Sequence, residues 1–284
     1  MTPEAAPVKP ESRRMTSIVA VGDNVVDCYP ALGRMFPGGN CVNLAVFARR
    51  AGARTAYVGA VAPDEAGDAI RGALAAERVA TDRLRLLPGR TAHCVIGHRK
   101  GDRVFLSFDL GVSMFRPDPG DLAYVAGFDA VHVGQSSGLD DCLASLAARA
   151  LLSYDFSAKL AHPRLYEIAS RCFLAAFSGG GLSEAAAHDL LAHAGARGAR
   201  WALVTRGERG ALLGGGGRIF ATAARTCEVV DTLGAGDTFI AGTLVGLLQG
   251  MPPETFLAAA ATAAAETCGH FGAIGHGTAL SPPL

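Results

Sequence analysis

The amino-acid sequence predicts an α/β fold, a mostly parallel sheet covered by helices, and three observations carry that prediction. Short unbroken apolar runs recur along the chain and end at Gly, Asp or Ser, as strands buried on both faces do. Segments with helical spacing of apolar residues separate them. Several of these segments close on a glycine placed as a helix C-cap. Strand and helix alternating in this way build a parallel sheet with helices on its faces.

In chain order, the first run is SIVAVGD at 17–23, followed by the helix-like NLAVFARRAG and by TAYVGAV at 55–61. EAGDAIRGALAAERV reads as the next helix. Further runs are AVHVG at 130–134, LLSYDFS at 151–157, CFLAAFS at 172–178 and WALVTRG at 201–207, with DDCLASLAARA and SEAAAHDLLAHAGARG as helices among them. The Ala-rich FLAAAATAAAETCG reads as a helix that packs closely because its residues are small. Ligands of such sheets collect at the carboxyl ends of the strands, where Asp23, Gly134, Asp155, Ser178 and Gly207 fall.

Two segments break the alternation. TAHCVIGHRKGDRVFLSFDLG at 91–111 reads as two strands around a Lys100-Gly101-Asp102 turn, a hairpin suited to a lid or a dimer surface. LLGGGGRIF at 212–220 joins two apolar arms through four glycines, as a late hairpin or a flexible turn. The segment 1–14 is rich in Pro and charge with no apolar core, so it reads as a disordered tail before a folded part that begins at Met15.

Composition narrows the function. Lys plus Arg number 26 and Asp plus Glu 26, so the formal charge is zero and no broad footprint for nucleic acid or anionic lipid exists. The apolar stretches fall short of the roughly 20 residues that span a bilayer. Seven cysteines without a C-x-x-C pair read as small buried hydrophobes in a reducing cytoplasm. The expected partner is a small molecule.

DTLGAGDTFIAG at 231–242 carries the chemistry. Gly234, Ala235 and Gly236 lack bulk and stand at the start of an apolar helix-like segment, where unpaired N–H groups and the helix dipole favour an anion such as a phosphoryl group. Asp237 beside that anion site is either a helix cap or a base for an attacking hydroxyl; its own residues leave both readings open. Upstream, PGGNCVNLAVFARRAG puts Gly38, Gly39, Asn40 and Asn43 at the start of another helix, with Asp27 just before them. Carboxylates and amides suit the several hydroxyls of a sugar, and adjacent glycines let a substrate lie against the main chain. Asp23 and Asn24 read as a strand-end turn, and Asp231 as a residue that orders the turn into the anion site.

DTLGAGDTFIAG together with PGGNCVNLAV resembles the two signatures of the ribokinase-like (PfkB) carbohydrate kinases, and the likeness runs in order from Met15 onward. The resemblance implies a three-layer ribokinase-like fold with a central mostly parallel sheet and a small β lid, forming one kinase domain over 15–284. It implies ATP and Mg²⁺ as cofactors, Asp237 as catalytic base, and Gly234, Ala235 and Gly236 around the transferred phosphoryl. It implies that Asp27, Gly38, Gly39, Asn40 and Asn43 hold the sugar, and that Thr205, Gly207 and Gly236 meet the nucleotide. Within the family, GDNVVDCYPALGRMFPGGN is similar to the fructoselysine 6-kinase subgroup, implying phosphorylation of fructoselysine or a related ketosamine at the 6-hydroxyl. The short path from Asp27 to Gly38 implies a reduced lid built mainly from about 91–111, and a homodimer would form through it.

Departures and alternatives remain. The N-x-x-E motif that orders Mg²⁺ in many relatives is replaced by FSGGGLSE at 177–184, so the metal ligands are unassigned; Ser178 and Glu184 are substitutes or simply a loop and a helix cap. Asp109 and Arg103 either face an amino-acid substituent or form a solvated lid face. His188 and His193 do not share a helix face well and read as non-ligands. The alternative functions are a kinase for another small sugar or nucleoside, or a catalytically silent sugar- or nucleotide-binding regulator. A dinucleotide oxidoreductase is disfavoured because no G-x-G-x-x-G follows the first strand.

Overall fold

The computed structural model describes residues 15–99 and 102–280. The expected tail at 1–14, the Lys100-Gly101 part of the expected turn and the side chain of Arg103 lie outside the described residues.

The main sheet has nine strands. Six of them are the apolar runs read from the sequence: β1 (Ser17–Val21), β4 (Arg54–Val61), β8 (Ala130–Gly134), β9 (Leu151–Asp155), β10 (Leu174–Ser178) and β11 (Trp201–Thr205). With β5 (Ala80–Leu86) at one edge they are all parallel, in the order β11-β10-β9-β8-β1-β4-β5. The glycine-rich segment is a hairpin of β12 (Ala211–Gly215) and β13 (Arg218–Thr222) that extends the other edge antiparallel to β11. Its turn places Gly216 and Gly217 at φ 59° and 75°, which glycine adopts without strain.

Helices cover both faces. α1 (Asn40–Arg50), α2 (Glu65–Ala76), α7 (Ala235–Leu248) and α8 (Pro253–Thr267) share one apolar cluster with Ile18 and Ala20 of β1. α3 (Pro119–Val125), α4 (Leu143–Ala147), α5 (Leu165–Ala169) and α6 (Glu184–Ala196) share a second with Val19 and Val21. Alternate residues of one strand thus feed two cores, which is the physical reason these strands read as unbroken apolar runs. The result is a three-layer α/β architecture. No helix among the described residues is long and apolar enough to cross a membrane.

A second sheet covers one end. It has five strands in the order β14-β3-β2-β6-β7. The expected hairpin supplies β6 (His93–Arg99) and β7 (Asp102–Asp109); β2 (Val25–Tyr29), β3 (Arg34–Gly38) and β14 (Thr278–Ala279) supply the rest. The lid therefore draws three of its five strands from outside 91–111. Val26, Cys28 and Met35 on one face join the main core, whereas Tyr29, Phe36, Cys94 and Ile96 form a separate cluster on the other. Register aligns Phe36, Asp27, Cys94 and Phe108 in one row, so Asp27 faces the same side as that smaller cluster.

Candidate active site

The segment leading into α7 is fixed by Asp231. Its carboxylate accepts the N–H of Leu233 at 3.0 Å, the N–H of Gly272 at 3.2 Å and the Tyr29 hydroxyl at 2.5 Å. The chain then turns at Gly234, with φ 80°. Any Cβ there would stand 2.4 Å from that of Ala273, so conformation and space both demand glycine. The N–H groups of Gly236 and Asp237 follow in the first turn, without acceptors within the helix. A Cβ on Gly236 would meet nothing within 4 Å, which leaves the approach to this backbone open.

α1 delivers two amides to the same place. Gly39 at φ 99° turns the chain from β3 into the helix, and a side chain there would press within 2.7 Å of the Asn24 backbone. Asn40 and Asn43, three residues apart on the first turn, share a face. Asn43 Nδ2 donates to Asp237 Oδ2 at 2.7 Å. Asn40 Nδ2 donates to Asp237 Oδ1 at 2.9 Å and to Asp155 Oδ2, at the end of β9, at 2.8 Å. Asn40 Oδ1 meets the Nε2 of buried His132 at 3.0 Å, and the His132 Nδ1 meets Ser153 Oγ at 2.9 Å.

Burial sets the protonation states. The Asp237 carboxyl is pushed up to about 8, first by burial and then by the Asp155 charge, with Asp23 adding to it; the two amides pull the other way. Asp155 is raised to about 6 by burial, against hydrogen bonds from the Ser157 N–H and Asn40. Burial holds His132 down to about 3, so its ring is neutral.

The sugar-side residues predicted from sequence converge here. A Cβ on Gly38 would lie 2.7 Å from Asp27 Oδ2 and 3.6 Å from Asn43 Oδ1, so Gly38 is what lets these two side chains approach one space. Asn43 Oδ1 is buried and accepts no hydrogen bond from the described residues. Asn40, grouped with the sugar ligands in sequence, spends both its amide hydrogens on carboxylates and its oxygen on His132. Asp23 accepts from the Ser137 hydroxyl at 2.7 Å and the Asn40 N–H at 3.2 Å. Asn24 donates to the Tyr57 hydroxyl and the Ala60 carbonyl, in keeping with a strand-end turn.

The expected nucleotide loop follows β11, against which α7 packs. The Thr205 carbonyl accepts the Gly179 N–H at 2.7 Å, and Gly207 is exposed at φ 60°. Buried Arg206 sits 3.7 Å from Glu184, and Arg209 donates to the Gly180 carbonyl, tying this loop to the FSGGGLSE segment. A cavity of about 490 Å³ runs between Arg225, Cys227, Glu228 and Val230 on one side and Thr262 and Glu266 of α8 on the other. In the sequence Asp155 stands only among the strand ends where ligands collect, and His132 and Ser153 carry no assigned role. The available signal was a histidine inside an apolar parallel strand, where an imidazole needs partners.

Comparison with known proteins agrees with this geometry. The family model described as pfkB family carbohydrate kinase matches residues 15–278. Fructosamine kinase FrlD of Bacillus subtilis (strain 168) is 35% identical over 265 residues, covering 92% of this chain and 93% of that protein. Fructoselysine 6-kinase of Escherichia coli (strain K12) is 33% identical over 261 residues, covering 91% and 100%. Among solved structures, Arabidopsis thaliana ribokinase complexed with ribose and ATP superposes with a TM-score of 0.80 at 22% identity over 92% of this chain and 95% of that one, a likeness of fold. With the motifs, the three-layer fold and a match over nearly the whole folded chain in agreement, this protein belongs to the pfkB family of carbohydrate kinases and is an ATP-dependent sugar kinase.

Proposed function

We propose that this kinase phosphorylates the 6-hydroxyl of a ketosamine, fructoselysine or a close relative, with Asp237 as the base. The observation that carries the chemistry is the setting of Asp237: a carboxylate raised to about 8, gripped by two amides, in the first turn of a glycine-led helix. Asp27 and Asn43, brought together by Gly38 and Gly39, bind the sugar hydroxyls. Asp237 takes the proton of the primary hydroxyl as it attacks the γ-phosphorus, and the N–H groups at Gly234 and Gly236, joined by that of Ala235 once it leaves the Thr232 carbonyl 3.4 Å away, donate to the charged phosphoryl oxygens. Thr205 and Gly207 border the nucleotide. The cytoplasm, where ATP and reduced thiols coexist, is the proposed compartment.

Mg²⁺ would offset the phosphate charge. Among the described residues no group of three or more His, Cys, Asp or Glu side chains is placed to hold a metal ion, so the ion fits here as a partner of phosphates and water rather than of a protein cage. A homodimer through the lid is part of the same reading, since Leu106, Phe108 and Leu110 stand 59%, 72% and 49% exposed on and beside the edge strand β7.

A coupled ADP assay comparing fructoselysine, other fructosamines, fructose, ribose and adenosine tests the substrate. The expected result is the highest kcat/KM on a fructosamine; a preference for a free sugar or nucleoside refutes the ketosamine assignment.

A further inference from the structure

Among the described residues the amide of Asn40 is the one hydrogen-bonding bridge between the two raised carboxylates, and its orientation is set from behind. Because burial keeps His132 neutral, one ring nitrogen carries hydrogen and the other accepts. Asn40 Nδ2 faces two carboxylates, so its oxygen is the end turned to His132, and that oxygen needs a donor. Nε2 of His132 is therefore the N–H, and Nδ1 accepts from the Ser153 hydroxyl. His132 and Ser153 are register partners on β8 and β9. Space agrees with this path: a Cβ on Gly134 would lie 2.2 Å from Asn40 Oδ1, although Gly134 has an ordinary φ of −93°. Glycine at this strand end makes room for the amide.

We propose that His132 is a positioning residue for the phosphoryl-transfer base: the Ser153–His132 chain locks the Asn40 amide with its NH₂ toward Asp237 and Asp155. The locking matters because a free amide serves either form of a carboxyl group. Its NH₂ stabilises the carboxylate, and its oxygen, once flipped, accepts from the carboxylic acid. The amide can flip without setting NH₂ against N–H only if the imidazole hydrogen moves to Nδ1 and the Ser153 hydroxyl turns from donor to acceptor at the same time, so the acid form of Asp237 gains that acceptor only at the added cost of this concerted change, while the carboxylate keeps its donor without it. The lock thereby opposes the burial and the neighbouring charge that raise Asp237, and keeps more of it ready to take a proton. The groups facing this cluster are Asp23 from the end of β1, Asp155 from β9, Asn40 and Asn43 from α1, and Asp27 from β2 through Gly38.

The proposal rests on Asp237 being the base, and the test keeps the two claims apart. Protein labelled with ¹³C at aspartate carboxyls is titrated by NMR without substrate, and the Asp237 signal is identified by its loss in Asp237→Asn. In the double variant His132→Phe with Ser153→Ala, which strands no hydroxyl, the Asp237 midpoint moves up by about one pH unit, roughly tenfold less carboxylate at neutral pH. His132→Gln, which keeps a donor toward Asn40, retains the wild-type midpoint. Gly134→Ala displaces the amide from the strand side and gives the same upward movement, so it decides the matter alone if the double variant does not fold. An Asp237 midpoint that stays in place or falls in either folded variant overturns the positioning role. A base role that fails shows up separately, as turnover by Asp237→Asn.

Discussion

At the scale of single residues, Asp237 is a carboxylate placed where ionisation is costly, and two consequences follow. The free-enzyme kcat/KM for the sugar should rise with pH, pass its midpoint near about 8 and level off above it, because only the ionised form accepts a proton and its folded value is raised; a profile already flat from pH 6 would contradict this. The sign for stability is opposite. A proton is held more tightly by Asp237 and Asp155 in the folded chain than in the unfolded one, so their contribution is fully present below the ordinary carboxylate range and is lost as pH rises through the raised values. Asp237→Asn should therefore stabilise the substrate-free protein at pH 8 by about 1–2 kcal/mol, measured by urea unfolding against the wild type. Gly234, Gly236 and Asp237 were legible in sequence as the start of a helix, because that is a local structure, whereas adjacent residues left the part played by Asp237 open between cap and base. His132 was not: its partners lie 21 and 92 residues away, and strand periodicity says that it is buried without saying what it meets.

At the scale of elements, glycines decide how close α7 comes to its neighbours. Gly234→Ala sets a methyl against Ala273 at a positive φ, so it should cost about 1–3 kcal/mol in thermal unfolding and lower kcat more than it raises the sugar KM. Deeper in the helix, a Cβ on Gly246 would lie 2.3 Å from the Phe256 side chain, and one on Gly242 3.0 Å from the Ala260 Cβ. The small residues of α7 and α8 thus permit their contact, as the Ala-rich pattern suggested. The six buried parallel strands were legible because feeding two cores forces unbroken apolar runs. β2 and β3 were hidden in VVDCYPALGRMFPG, since one face joins the main core while the other carries Asp27 and a small aromatic cluster. β5 was hidden as a largely polar edge strand, ATDRLRL, with only one neighbour.

At the scale of the whole molecule, the α/β body supplies Asp155, His132 and the α7 start, and the five-stranded sheet brings Asp27 toward Asn43 beside them. The segment 268–277 links the two parts: Ala273 abuts Gly234, Gly272 and Gly277 face Phe36 of the lid, and Glu77 of the body holds His276 at 2.7 Å. If the lid also pairs copies of the chain, Leu106→Glu with Phe108→Glu should reduce the mass seen in sedimentation velocity to that of one chain, while the wild type runs as a dimer. The central claim is that Asp237 performs phosphoryl transfer as the base rather than capping a helix. Steady-state ADP release by Asp237→Asn with fructoselysine and ATP, alongside calorimetric binding of both ligands, tests it most directly. The account predicts turnover lowered by roughly a thousandfold or more with binding retained; turnover within about tenfold of the wild type would contradict it.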